Sequence, residues 1–126
     1  MVKKIGFLGP EGTYTETAAK ILQKKIGQSN AKLLASNTIP YLVRSVAEGF
    51  LDYSIVPLEN SIEGTVNITI DALIKTDVKI IGEIVINVDH YLAVKNLFSK
   101  EKLQVVFSHP QALSQCYHYL TIHFPN

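Results

Sequence analysis

Apolar residues follow two different periods along the chain, and the period predicts an element for each segment. Short apolar runs that end at turn residues predict buried strands, and a longer run in which apolar and polar residues alternate predicts a further strand. The predicted strands are Lys4 to Leu8, Lys32 to Ala35, Asp52 to Val56, Val78 to Val88 and Gln104 to Phe107, with His90 to Val94 continuing extended. Because these strands alternate with segments of helical period, the pattern predicts an α/β fold with a mainly parallel sheet and helices on its faces.

Helices are predicted where apolar residues recur every three or four positions. The predicted helices run from Thr13 to about Lys25, from Thr38 or Ile39 to Glu48, from Val66 to Lys75, and from Ser108 to about His123. Two of them open on a hydroxyl residue with Glu or Gln three positions later, as in a capping box. These pairs are Thr13 with Glu16 and Ser108 with Gln111. Gly27 and Gly49 follow two of the helices, as C-terminal glycines do.

Composition narrows the class of partner. The 126 residues carry a net charge of +1, so bulk charge gives no reason to expect nucleic-acid binding. Arg44 is the single arginine, so an anionic ligand would be held by lysines, backbone N–H groups or hydroxyls. The most apolar stretch, Val78 to Val94, is interrupted by polar residues, so no membrane span is predicted.

Cysteine and histidine give no signal for a covalent or metal site. Cys116 is the single cysteine, which excludes an internal disulfide and favours a reducing, cytoplasmic compartment. Helical spacing places Cys116 on an apolar face, where an inert core role is expected. The four histidines show no metal-ligand spacing with acids or with one another, so we predict no metal.

The segment from Pro57 to Asp71 carries the richest local chemistry. It begins where a predicted strand stops at Pro57, and ligands of open parallel sheets bind just past the carboxyl ends of strands. Glu59 offers an acid–base group whose pKa burial would raise, and Asn60 offers an orienting amide. The alternative is a polar surface loop with Asn60 in a turn and Glu63 in solvent.

A second segment, Gly9 to Glu16, follows the first strand. Gly12, Thr13 and Tyr14 lie at a predicted helix N-terminus, where unpaired N–H groups and the helix dipole favour a carboxylate. The glycine spacing differs from a dinucleotide fingerprint, and the second strand lacks the ribose-binding acid after it. The alternative is simply a well-capped helix.

A third segment, Ser108 to Cys116, follows the last predicted strand. Gln111 and Gln115 are spaced i, i+4 and so share one helix face. Together the three segments resemble the prephenate dehydratase family: a glycine-rich first loop, a Pro-x-Glu-Asn…Gly-x-Val…Asp-x-Leu block, and a Ser-His-x-Gln-x-x-x-Gln-Cys block. The resemblance covers Lys4 to about Leu120. The family's later Thr-Arg-Phe motif and its ACT domain are not in these residues.

The resemblance implies a fold and a reaction. It implies two α/β lobes like those of type II periplasmic binding proteins, with lobe 1 at about 1–76, lobe 2 at about 77–126 and incomplete, and residues 1–126 forming part of the catalytic domain. It implies decarboxylating dehydration of prephenate to phenylpyruvate in phenylalanine biosynthesis, without a cofactor. Arogenate dehydration, or non-catalytic binding of a small carboxylate, are the alternatives.

The resemblance also implies site residues and partners. It implies that Ser108 and Gln115 line the substrate cleft. Together with Glu59 and Asn60 they are the predicted catalytic residues, and the predicted substrate-binding residues are Gly12, Thr13, Tyr14, Ser61 and Gln111. An incomplete second lobe would leave an open sheet edge, so we expect a homo-oligomer. The expected ligand is prephenate, and neither a nucleic acid nor a membrane is expected as a partner.

Overall fold

The computed structural model describes residues 2–61, 64–95 and 103–125. The chain forms two compact units, residues 1–87 and 88–126. The first unit is built on a parallel sheet of three strands in the order β2–β1–β3. These strands are β1 (Lys4–Leu8), β2 (Lys32–Ser36) and β3 (Tyr53–Ile55). The predicted α/β class and its parallel sheet are therefore confirmed.

The central strand β1 is covered on both faces because its side chains alternate. Ile5 and Phe7 are buried in one cluster with Ala19 of helix α1 (Tyr14–Lys25). The residues between and after them point the other way, where Leu8 packs against a cluster that includes Val43 of helix α2 (Ile39–Ala47). Burial on both faces is what a parallel strand between two helical layers requires.

Gly6 faces α2, and its missing side chain is a packing requirement. A Cβ atom at this position would lie 2.6 Å from Cδ2 of Leu42 and 2.5 Å from Cδ1 of Leu51. Leu42 is fully buried, so α2 lies directly against the backbone of β1. The first glycine of the Gly6, Gly9, Gly12 series is therefore explained by helix–sheet packing without a nucleotide.

The helix boundaries follow the capping signals in the first unit. Thr13 accepts a hydrogen bond from the Glu16 N–H at 3.4 Å, and Thr38 accepts one from the Tyr41 N–H at the same distance. Gly27 and Gly49 follow α1 and α2 with φ of +67° and +77°. Helix α3 (Asn67–Ile74) then packs on α2, and it confirms the helix predicted from Val66 to Lys75.

The strands predicted at Val78 to Val88 and at Gln104 to Phe107 are wrong, and His90 to Val94 forms no strand either. In the described residues all three segments lack regular secondary structure. The alternation from Val78 to Val88 is real, but a strand exists only through hydrogen bonds to a neighbour, and no described strand pairs with any of the three segments. Apolar residues such as Ile80 and Val85 consequently remain exposed.

The second unit contains one described helix, α4 (Pro110–His123). Its N-cap is His109, so the predicted cap at Ser108 and the capping box with Gln111 are wrong. The reason is Pro110, which prefers the first helical position and holds the residue before it extended. Cys116 is half-buried in this helix. Among the described residues, no helix is both long and apolar enough to cross a bilayer.

Candidate functional site

In the first unit, two of the predicted segments leave the sheet at the same end, where the carboxyl ends of the parallel strands lie. Strands β1 and β3 are parallel neighbours, with Phe7 paired to Ile55. The loops that follow their carboxyl ends therefore emerge side by side. One loop leads to Gly12 and Thr13, and the other leads to Glu59. This is the end at which open parallel sheets bind ligands.

The first loop is fixed by hydroxyl groups on the last carbonyl of β1. Thr13 donates a hydrogen bond to the Leu8 carbonyl oxygen at 3.1 Å, and the Thr15 hydroxyl donates to the same oxygen. The Thr13 hydroxyl also caps α1, so its hydrogen-bonding capacity is largely used within the protein. Sequence reasoning found the cap but missed Thr15, whose hydroxyl two residues later was the available signal.

The N-terminus of α1 is already occupied by a carboxylate of the protein's own, that of Glu16. Glu16 accepts a hydrogen bond from the Gly12 N–H at 2.5 Å and pairs with Lys20 one turn later. The Lys20 ammonium, followed by the Gly12 N–H, lowers the pKa of Glu16 below its usual value. The prediction that the Gly12 N–H is unpaired is therefore wrong. Gly12 itself has φ of +85°, which favours glycine, and Tyr14 is exposed.

Glu59 and Asn60 lie in a short hairpin instead of the predicted loop. They form β4 (Glu59–Asn60), which pairs antiparallel with β5 (Gly64–Thr65). Asn60 is half-buried, whereas Glu59 and Ser61 are exposed. The burial expected around the Glu59 carboxyl group is therefore not seen in the first unit. Glu63 lies outside the described residues.

A buried threonine anchors the segment that enters this hairpin. The Thr69 hydroxyl, in α3, donates a hydrogen bond to the Pro57 carbonyl oxygen at 2.6 Å, and Thr69 has no exposed surface. The Val66 N–H adds a second bond to the Leu58 carbonyl oxygen at 2.9 Å. Sequence reasoning missed Thr69. The available signal was one hydroxyl residue between Ile68 and Ile70, a polar group on an apolar helix.

In the second unit the structure joins Gln115 to a histidine that the sequence left unassigned. The Gln115 Oε1 atom lies 2.6 Å from Nε2 of His90. Gln111, half-buried, donates its backbone N–H to Nδ1 of His109 at 3.3 Å, and Ser108 is exposed just before this cap. Sequence reasoning missed His90 because 25 residues separate it from Gln115.

A groove of about 350 Å³ lies beside β2 and contains none of the predicted site residues. Its lining includes Leu34, Tyr41 and Phe50. Within residues 2–61, 64–95 and 103–125, no three His, Cys, Asp or Glu side chains cluster as metal ligands would.

Known proteins that are similar to this chain carry the name prephenate dehydratase. The family model for prephenate dehydratase matches residues 5–126. A bifunctional chorismate mutase/prephenate dehydratase of Neisseria gonorrhoeae is 41% identical over 122 residues, which cover 97% of this chain and 33% of that protein. The prephenate dehydratase of Bacillus subtilis is 37% identical over 128 residues, covering 98% of this chain and 43% of that protein. The chain thus spans a third to two fifths of these curated relatives.

A solved structure agrees with this relationship. The X-ray structure of prephenate dehydratase from Streptococcus mutans is 34% identical and superimposes with a TM-score of 0.52 over 59% of this chain and 36% of that chain. The sequence motifs, the parallel sheet and the family match over residues 5–126 agree. The chain therefore belongs to the prephenate dehydratase family.

Proposed function

We propose that the protein converts prephenate to phenylpyruvate, with loss of carbon dioxide and water, in phenylalanine biosynthesis. The observation that carries this proposal is the family match over residues 5–126. The geometry supports it, because the Glu59–Asn60 hairpin follows the carboxyl end of β3. We further propose the two-lobed arrangement of type II periplasmic binding proteins, with lobes at about 1–76 and 77–126.

The reaction needs proton donation and orientation more than it needs a nucleophile. The bond from the ring to its carboxylate breaks and releases carbon dioxide, and its electron pair enters the ring. The ring–hydroxyl bond breaks at the opposite position, and the departing oxygen takes a proton to become water. Aromatisation supplies the driving force. No net oxidation or reduction occurs, so the reaction requires no redox partner, and we expect no cofactor.

Glu59 is the ionisable group that we assign to proton donation. It is the carboxyl group closest in sequence to the anchored Pro57 carbonyl, and it is exposed. Asn60, Ser108 and Gln115 would orient the hydroxyl and carboxylate groups through hydrogen bonds. We assign Gly12, Thr13, Tyr14, Ser61 and Gln111 to substrate binding, through groups other than the Gly12 and Gln111 backbone N–H groups, which bond within the protein.

One feature of the sequence and one of the surface support a proposed compartment and a proposed oligomeric state. Cys116 is the single cysteine, which supports a reducing, cytoplasmic compartment. In the second unit Tyr91 and Phe107 are 88% and 90% exposed, and exposed aromatic side chains mark a protein-interaction site where they form a contiguous patch. We therefore propose a homo-oligomer in the cytoplasm.

An assay with two substrates tests the proposed reaction. Purified protein is incubated with prephenate or with arogenate, and phenylpyruvate and phenylalanine are separated by chromatography. We expect phenylpyruvate from prephenate. Phenylalanine from arogenate alone would reassign the substrate, and the absence of both products, with retained binding of a dicarboxylate, would indicate a non-catalytic binding module.

A pair of matched variants tests the role of the carboxyl group. Glu59→Gln removes the ionisable proton while it keeps the shape of the side chain, so we expect a loss of turnover of about 10²-fold or more. Glu48→Gln makes the same change at an exposed residue that ends α2, and it should leave turnover unchanged. Equal turnover in both variants would remove Glu59 from the reaction.

A further inference from the structure

The contact between His90 and Gln115 extends the proposed function to a residue with no assigned role. The Gln115 side chain lies in the second turn of α4, and His90 lies in the irregular segment before it, within the same unit. The atoms that meet are Nε2 of His90 and Oε1 of Gln115, at 2.6 Å. This distance is short for an N–H···O hydrogen bond, whose usual range begins near 2.7 Å.

The identity of the two atoms determines the direction of the bond. An amide oxygen accepts hydrogen bonds and cannot donate them. His90 must therefore donate, which requires a proton on its Nε2 atom. The bond in turn orients the Gln115 amide, because its oxygen is directed to His90 and its NH₂ group therefore occupies the other arm of the planar amide.

We propose that His90 is a positioning residue that holds Gln115 by its amide oxygen and so presents the amide nitrogen to the substrate. This inference rests on the proposed function, in which Gln115 contacts the substrate. Prephenate carries two carboxylates and a hydroxyl group, and each of these offers oxygen lone pairs. A glutamine that presents its NH₂ group donates to such an oxygen, whereas a flipped amide would place two oxygens together.

The other histidine near the start of α4 is used differently. Nδ1 of His109 accepts the Gln111 N–H at the helix N-terminus, so its ring serves as a cap. His118 lies further along α4, is exposed, and makes no side-chain hydrogen bond within the described part of the chain. It therefore offers a matched control for the loss of a histidine ring.

Nitrogen NMR tests the hydrogen bond without any assay of activity. The imidazole spectra of ¹⁵N-labelled protein are recorded at about pH 9, where histidine rings are neutral. We expect His90 in the form protonated at Nε2, and we expect Gln115→Ala to weaken that preference. A wild-type ring protonated at Nδ1, with Nε2 bare, would overturn the proposal.

Variants at position 90 test the positioning role. His90→Phe keeps a ring but removes the donor, and we expect a fall in kcat of about 10-fold because the amide loses its fixed orientation. His90→Gln restores an N–H donor and should recover most of the loss. His118→Phe should leave kcat unchanged. Thermal unfolding of each variant identifies any that fails to fold.

A double variant separates positioning from a merely structural effect. If His90 acts through Gln115, His90→Phe should cost nothing further in a protein that already carries Gln115→Ala. Losses that multiply would overturn the proposal, as would a His90→Gln protein no better than His90→Phe. Failure of the proposed function would look different: wild-type protein would form no phenylpyruvate, and the NMR result would still decide the hydrogen bond.

Discussion

The Thr69 hydroxyl donates a hydrogen bond to the Pro57 carbonyl oxygen at 2.6 Å, from a side chain that is completely buried. The bond fixes the backbone two residues before Glu59 to helix α3. Because the hairpin itself has only two residues in each strand, its position depends on this anchor. Thr69 thus links the packing of the first unit to the placement of the proposed acid.

Removing the Thr69 hydroxyl should destabilise the protein. In Thr69→Val the Pro57 carbonyl loses its partner while the volume of the side chain is kept, and we expect the free energy of unfolding to fall by about 1–3 kcal/mol. Thr69→Ser keeps the donor and should cost less. Urea denaturation measures both, with Thr17→Val, at an exposed helix position, as the control. A serine variant as unstable as the valine variant would show that packing of the methyl group is what matters.

A methyl group at position 6 should disturb the contact between α2 and the sheet. The Cβ of Gly6→Ala would lie within 2.6 Å of Leu42 and Leu51 methyl groups, so these side chains must move. We expect a loss of about 1–3 kcal/mol in unfolding free energy, as for other overpacked cores. Gly82→Ala adds the same methyl group where no atom lies within 4 Å, and it should be close to neutral. Equal stability of the two variants would contradict the close packing at Gly6.

The ion pair at the start of α1 should contribute a pH-dependent part of stability. The pKa of Glu16 is lowered from 4.5 by Lys20 and by the Gly12 N–H. Because the folded state holds the ionised form more strongly, the stabilisation is present above about pH 4.5 and is lost as pH falls through the lowered pKa.

We therefore expect Glu16→Gln to be less stable than wild type at neutral pH and to approach it at low pH. Thermal unfolding across a pH series measures the difference, and Glu11→Gln serves as an exposed control. A gap between wild type and Glu16→Gln that stays constant with pH would contradict an ionised Glu16 in the folded protein.

Asn60→Ala should lower turnover by about 10²-fold, the usual loss for one positioned polar contact to a transition state. Asn30→Ala removes the same amide from an exposed loop before β2, at the amino-terminal end of the parallel strands, and should have no effect. Steady-state kinetics with prephenate give kcat and KM for both variants. Wild-type turnover in the Asn60 variant would exclude this amide from the reaction.

The protein should self-associate through exposed aromatic and aliphatic residues. Sedimentation across a concentration series should show an average mass that rises with concentration. Phe107→Ser, at a residue that is 90% exposed, should shift that rise to higher concentration. A monomer at every concentration would contradict the proposed oligomer.

Local signals in the sequence predicted the first unit well. A capping residue, an apolar run and a closing glycine act within one or two turns of chain, so α1, α2 and the three parallel strands could be predicted to within two residues. The start of α4 was misjudged because a proline effect competes with a serine cap, and Pro110 sets the boundary. The strand from Val78 to Val88 was wrong because alternation shows which residues suit a sheet and cannot supply a partner strand.

The residues of the candidate site also fall into those that local motifs indicate and those that only the fold brings near. Glu59, Asn60 and Gln115 could be selected from the sequence because their motifs are contiguous. The residues that hold them could not, since Thr69 lies 12 positions from Pro57 and His90 lies 25 positions from Gln115. Such contacts depend on the fold, and no local pattern records them.

Because Gly6 has no side chain, helix α2 can lie close to the backbone of β1. Leu42 lies on the β1 backbone, its neighbour Val43 packs with Ala72 of α3, and α3 carries the Thr69 anchor. The Pro57 carbonyl, two residues before Glu59, is thus bonded to a helix layer on the opposite face from α1. Redesign of that layer for heat tolerance must keep its width constant, or it will move the proposed acid along with the core.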